Sequence, residues 1–242
     1  MTDGRSASLP EPLSSGMARS FVILMPGRTG SSHLVSCLAS HPRVCVEGEA
    51  LVTIEAGTDQ IAWIDRHYRR RRFRIAAVGF KTKLKDVRDH RAFADALVRH
   101  QAGLVLMLRR DNLRQAVSIL RARTLRERHG VWNRTRETPE LGATEIDLGE
   151  LDRTLADVVA RTEELEGFVD GLDLPRTVLH YEDLLTDPEP LLAGLQDFLG
   201  IPRRDLRSET RKTTPDDLTR SISNHEQVRE HLAGGPHERF LG

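Results

Sequence analysis

Residues Phe21 to Leu34 read FVILMPGRTGSSHL, and this stretch constrains the fold more than any other. FVILM is five apolar residues in a row, the pattern of a short strand buried on both faces. PGRTG breaks that pattern with a Pro, two Gly, an Arg and a Thr. The helix-like SSHLVSCLAS follows, and Ser31 and Ser32 are expected to cap its start. Strand, tight glycine loop and helix start together make an anion site, because free backbone N–H groups and the positive end of the helix dipole converge there. Arg28 adds a full charge, and Thr29, Ser31 and Ser32 add hydroxyl donors. Gly30 gives the loop its tight turn, and His33 sits where it can donate to a phosphate. Taken alone, the loop also suits an ordinary βα turn with a solvated Arg. It is not a Walker A loop, because that motif needs a Lys before its Ser/Thr and none lies near.

A second stretch has the same grammar. Gly103 to Leu108, GLVLML, reads as another buried strand. It runs into Arg109, Arg110 and Asp111 and then an amphipathic helix. Ser118 lies about two helical turns beyond Arg110. Ligands of open α/β sheets bind at the carboxyl ends of strands. If both strands lie in one parallel sheet, Arg28 and Arg110 share a rim, which suits a ligand with phosphates at both ends.

These two stretches resemble the signatures of the sulfotransferases that use 3′-phosphoadenosine 5′-phosphosulfate (PAPS). Arg28-Thr29-Gly30-Ser31-Ser32 matches the family's [KR]-[ST]-G-[ST]-[ST] loop, which implies a role in holding the 5′-phosphosulfate. Arg110 and Ser118 match the Arg and Ser that bind the 3′-phosphate, with the family's spacing. The hydrophobic patterning agrees over residues 20 to 200. The likeness is closer to the bacterial nodulation-factor and carbohydrate branch than to the cytosolic steroid and phenol enzymes. The segment HYEDLLTDP also resembles a strand-end segment of the family, one with a mainly structural role.

The resemblance implies sulfuryl transfer from PAPS to a hydroxyl, less readily an amine, of a carbohydrate or other small acceptor. In such chemistry positioning and charge stabilisation dominate. Lys81 lies in GFKTKL, where the cytosolic members carry K-T-H, so Lys81 is expected at the transferring group beside Arg28. Lys83 stands where their His base would fall, and a charged Lys is a poor base unless strongly desolvated. Relatives directed at carbohydrates use a Glu in a G-E segment after the first helix. Gly48-Glu49 matches it, with Glu47 as the neighbouring alternative and Lys83 or His33 as the remaining ones. Arg211 and Lys212 in the C-terminal tail are further expected contacts to the cofactor. No spacing resembles a metal site, and no metal is expected. His180, at a strand end, is a weaker candidate for the rim.

The order of patterns predicts an α/β chain: a three-layer, P-loop-like sandwich with a central parallel sheet of four to five strands and helices on both faces. Strands are expected at VCV, RIAAVGFKTKL, 103–108 and RTVLHY. Helices are expected at 31–40, 59–72, 88–99, 112–126 and 151–170, with another stopped by Gly200 and Pro202. Residues 1–18 read as a disordered tail and 19–242 as one domain. Within it, 127–150 is expected to be a flexible loop and 203–242 a polar tail packing on the cofactor site.

Formal net charge is zero over 242 residues, so global charge implies neither nucleic acid nor membrane. No apolar run approaches the length of a membrane span. Cys37 and Cys45 make no disulfide framework and fit a reducing cytoplasm. The 36 basic residues include only four Lys, three of which are Lys81, Lys83 and Lys85. The run RHYRRRRFR, residues 66 to 74, suits a solvated face or a site for an acidic acceptor or partner. Two other functions fit parts of the pattern: a nucleotide-dependent kinase with an atypical phosphate loop, and a non-catalytic sulfotransferase-like protein that binds a nucleotide or partner.

Overall fold

The alternating residues of one central strand split between two apolar layers, and this organises the sheet. The computed structural model describes residues 18–54, 57–69, 74–132, 141–208 and 217–241. Strand β1 (Arg19–Leu24) sends Phe21 and Ile23 to one face and Val22 and Leu24 to the other, all fully buried. Two-sided burial is the reason FVIL has no polar alternation.

The strands are β1, β2 (Val44–Glu49), β3 (Ala77–Thr82), β4 (Gly103–Leu108) and β5 (Arg176–His180). They form one five-stranded sheet in the order β2-β3-β1-β4-β5, and every pairing is parallel. Four of the five run close to the stretches that the patterning marks out, and β3 begins at Ala77, inside the apolar run expected to be extended. Helix α1 (Ser31–Ala39) connects β1 to β2 on one side, while β4 leads on to β5 on the other. The carboxyl ends of the neighbours β1 and β4 therefore flank a topological switch point, where ligands of open sheets bind.

The described chain divides into two compact units, Met1–Leu108 with Leu165–Glu209, and Arg109–Glu164 with Thr210–Gly242. In the first, one face of the sheet is covered by α2 (Ala50–Thr53), α3 (Gln60–Arg69), α4 (His90–Arg99) and the last residues of α6 (Leu148–Asp170), through Leu51, Ile64, Tyr68, Phe93, Leu97, Leu165 and Val169. The other face is covered by α1, α7 (Tyr181–Thr186) and α8 (Pro188–Phe198), through Leu34, Leu38, Leu184, Leu192 and Leu195. Each such side chain stabilises the fold by roughly 1.5–3 kcal/mol.

The second unit packs α5 (Asn112–His129) and the first part of α6 against α9 (Leu218–Ser221) and α10 (His225–Leu232). Within the segment 203–242, expected as a polar tail, α9 and α10 are therefore helical. Leu218 and Ile222, then Val228 and Leu232, are buried pairs four residues apart, a helical spacing inside a polar background. The buried Arg121 joins these parts, donating to the carbonyls of Leu141, Gly142 and Ser221 and to Thr144 Oγ1. Of the segment 127–150, expected as a flexible loop, residues up to His129 belong to α5 and those from Leu148 to α6, and residues 133–140 lie outside the described set. Among the described residues, no helix is long and apolar enough to cross a membrane.

Gly79 tests the packing of the sheet. It pairs with Phe21 across β1 and β3, and a Cβ built on it would stand 2.5 Å from the Phe21 ring. Gly79→Ala is expected to destabilise the protein by about 1–3 kcal/mol through overpacking, measured by chemical denaturation. Unchanged stability would mean that the ring does not lie over Gly79.

Candidate active site

The loop after β1 is built from unusual backbone. Gly27 has φ +112°, Arg28 +55° and Gly30 +76°. The first and last are conformations that glycine adopts at little cost, while Arg28 carries strain of the kind stored at binding sites. Gly30 is also required sterically, since a Cβ there would lie 2.4 Å from the ring of Tyr181, the first residue of α7. Gly30 itself is the N-cap of α1, and no side chain caps the helix. The expectation that Ser31 or Ser32 caps it is corrected: both lie in the first turn, because the left-handed Gly30 already turns the chain into the helix. The first N–H groups of α1 thus lack a side-chain cap.

The side chains of the loop differ in their surroundings. Thr29 is wholly buried, and its Oγ1 finds no hydrogen-bond partner among the described residues. A buried hydroxyl without a partner costs free energy unless a ligand or water satisfies it. Ser32 is exposed, and its Oγ accepts a 2.7 Å hydrogen bond from Lys81 Nζ. His33 is partly buried, and burial lowers its pKa, favouring the neutral imidazole.

Lys81 is the centre of the cluster. It is buried at the end of β3, and its Nζ lies 3.4 Å from Glu49 Oε1. Lys83 follows in extended conformation, so it projects on the same side as Lys81. Its Nζ donates to Glu49 Oε2 and lies 3.5 Å from Asp86 Oδ2. The stem of Lys83 runs past Gly27, within 3.5 Å of where a Cβ would be. Loop, β2 and β3 therefore meet at one carboxylate and two ammonium groups.

A register slip decides which glutamate takes part. Glu47 pairs with Phe80 and Glu49 with Lys81, so Gly48 is an extra residue in β2. Directly opposed residues share a face, and the slip puts Glu49 on the Lys81 face while Glu47 stays on the Phe80 face. A regular strand would have put both glutamates on one side.

Charge follows from this geometry. Burial alone would raise the Glu49 pKa; the hydrogen bond and charge of Lys83, then those of Lys81, outweigh it and hold the carboxyl below its ordinary range. Burial is the largest influence on Lys81 and lowers its pKa; Glu49 opposes this, and the charges of Lys83 and Arg28 add to it. Because the folded pKa of Glu49 is depressed, its ion pairs contribute stability above the unfolded carboxylate pKa, and that contribution is lost as pH falls through the folded value.

Arg110 is exposed two residues past the end of β4, and Ser118 is buried inside α5. Both belong to the second unit. Arg211 and Lys212 lie outside the described residues. His180 closes β5, with its Nδ1 3.9 Å from Asp183 Oδ2. Of the Arg-rich run, Arg66, Arg69 and Arg74 are exposed and 70–73 are outside the described set. Asp86 and Tyr181 were not singled out from sequence as parts of the site. Asp86 stands three residues after Lys83, a pairing distance in a helical turn.

Fold and loop define a class: a parallel-sheet α/β protein whose first βα loop has the composition and backbone of an anion site. The chain is 28% identical to nodulation protein H of Rhizobium tropici, over 97% of this chain and 95% of that protein. It is 27% identical to nodulation protein H of Rhizobium meliloti (strain 1021), over 91% and 94%. No family model matches. The fold is shared with a solved sulfotransferase from Alicyclobacillus acidocaldarius, at TM-score 0.51 and 17% identity over 92% of this chain and 94% of that one. The resemblance carried by the two motifs is borne out: over nearly its whole length the chain is similar to nodulation protein H, and its fold is that of a solved sulfotransferase.

Lys83→Met should raise the Glu49 pKa, since burial then opposes the charge with only Lys81 left to offset it. Carboxyl ¹³C NMR titration, with Glu49 assigned from Glu49→Gln, reads the shift. A titration identical to wild type would mean that Lys83 does not hold Glu49 in solution.

Proposed function

We propose that the enzyme moves the sulfuryl group of PAPS to a hydroxyl of a carbohydrate-type acceptor and releases adenosine 3′,5′-bisphosphate (PAP). The observation that carries this reading is Glu49 held between Lys81 and Lys83, with Lys81 also bonded to Ser32 of the anion loop. A carboxylate and two ammonium groups beside a phosphate-type loop support a base for the acceptor and a cation for the transferring group. The whole-length likeness to nodulation protein H supports it.

The residues have distinct parts in the reaction. Arg28, Thr29, Gly30, Ser31, Ser32 and His33 hold the anionic 5′ end; the orphaned Thr29 hydroxyl and the uncapped N–H groups of α1 fit such a group. PAPS supplies a sulfuryl group joined to a stable phosphate leaving group. As the acceptor oxygen bonds to sulfur, the bond from sulfur to the phosphate oxygen breaks, and its electron pair leaves with PAP. Glu49 takes the hydroxyl proton. Lys81 and Arg28 stabilise charge on the sulfuryl and leaving oxygens. Arg110 and Ser118 bind the 3′-phosphate. The two free cysteines, Cys37 and Cys45, suit work in a reducing cytoplasm.

The kinase alternative is not favoured, since the loop carries no Lys. The non-catalytic alternative leaves the Glu49 cluster without a purpose.

Two measurements test the reading. PAP in EDTA at a hundred times its Kd should stabilise the fold by about 2.7 kcal/mol, seen as a rise in melting temperature; no shift at millimolar PAP would refute the donor assignment. Arg110→Ala should weaken PAP far more than adenosine 5′-phosphate, by calorimetric titration. Equal losses would mean that Arg110 supports the fold instead of reading the 3′-phosphate.

A further inference from the structure

Beside Glu49, in the first unit, lies a cleft of about 470 Å³. Its walls include Glu47 and Glu49 at the end of β2, Thr53 just after it, and Trp63, Arg66 and His67 of α3. The Glu49 that belongs to the lysine cluster is thus also part of this wall. Any acceptor whose hydroxyl reaches Glu49 from the side of β2 has its remaining atoms in the cleft.

The walls are chemically mixed in a particular way. Trp63 stacks on His67, with centroids 4.7 Å apart and planes at 9°, and meets the edge of Phe80. His67 is buried, and its Nε2 donates to the Gly79 carbonyl at 3.0 Å, so the stack is anchored to β3. The indole itself is only partly buried. A fixed aromatic surface costs little conformational entropy when a flat or chair-shaped ring settles on it. Around it stand two carboxylates that accept hydrogen bonds, and Arg66 and Thr53, which donate them.

We propose that this cleft is the acceptor subsite of the reaction proposed above, on which the inference rests, and that Trp63, Arg66 and Glu47 select a neutral polyhydroxylated ring. A sugar ring offers an apolar face to Trp63 and several hydroxyls that both donate and accept. Glu47 and Arg66 are then satisfied while one hydroxyl stays free for Glu49. A simple phenol offers a single hydroxyl, which Glu49 would take, leaving the part-buried Glu47 covered without a partner and Arg66 without a substrate group to bind. Sites built to hydrogen-bond a substrate reject analogues that lack those groups for this reason. An anionic acceptor is opposed by Glu47 and Glu49 together. The register slip at Gly48 gives the two glutamates separate tasks: Glu49 faces the lysines, and Glu47, on the Phe80 face, reads the ring.

The test uses the two tryptophans, Trp63 and Trp132. In a Trp132→Phe background, Trp63 emission is titrated with cellotetraose and chitotetraose, with 2-naphthol as the contrasting acceptor, and turnover is followed with labelled PAPS. The expected result is a saturable change in emission with at least one tetrasaccharide and turnover of that sugar in preference to 2-naphthol. Arg66→Ala, at an exposed position, and Trp63→Ala should each raise its KM about tenfold or more with PAP affinity unchanged, and Trp63→Phe should recover part of the Trp63→Ala loss. Unmoved KM in both Arg66→Ala and Trp63→Ala, preference for 2-naphthol, or no emission response to either sugar overturns the assignment. Loss of PAP binding in the wild-type protein with the Trp63 response intact would instead refute the sulfotransferase reading and leave the sugar cleft standing.

Discussion

A carboxylate between two ammonium groups organises the carboxyl edge of this sheet. Glu49 sits at the end of β2, with Lys81 and Lys83 side by side at the end of β3, and the pairing requires the one-residue slip at Gly48. The consequence is electrostatic. Burial would neutralise Glu49, and the lysines keep it charged. A charged carboxylate is ready to accept a proton, though a lowered pKa makes it a weaker base. Anything that draws the lysines toward another anion raises its basicity, and a donor bearing negative oxygens beside Lys81 has that character. In the reaction proposed above, coupling of this kind would make Glu49 most basic when the donor is in place.

The anion loop is the second half of the same arrangement. Its backbone is contorted at Gly27, Arg28 and Gly30, and the neighbouring structure holds it there: Tyr181 lies against Gly30, and the Lys83 stem passes Gly27. Arg28, Lys81 and Lys83 carry three positive charges near two carboxylates, Glu49 and Asp86. The imbalance favours an anion at this edge.

Much of this was legible in the sequence. Apolar runs without alternation mark β1 and β4, since burial on both faces leaves no room for a polar period. The G-E segment and the K-T-K segment are visible as motifs, and the i, i+2 spacing of Lys81 and Lys83 already places them on one side of a strand. That these lysines meet Glu49 was not legible, because β2 and β3 pair through a slipped register that no local pattern encodes. The resemblance favoured Glu49 over Glu47, but that the two glutamates lie on different faces follows only from the same slip. Trp63 and His67 fall within the helix expected at 59–72, and only tertiary packing shows that they line a cleft with the end of β2. The helices of residues 218–232 were missed because their few apolar pairs are diluted by charge. Ser31 and Ser32 looked like caps because their composition suits that role, yet the left-handed Gly30 takes the N-cap position.

The central claim is that Glu49 receives the acceptor proton. The most direct measurement is turnover by Glu49→Gln, which keeps the size and hydrogen bonding of the side chain and removes its ability to take a proton. With saturating PAPS and acceptor, kcat should fall by about two to four orders of magnitude, while PAP affinity by calorimetry stays close to wild type. Normal turnover by Glu49→Gln would contradict the account.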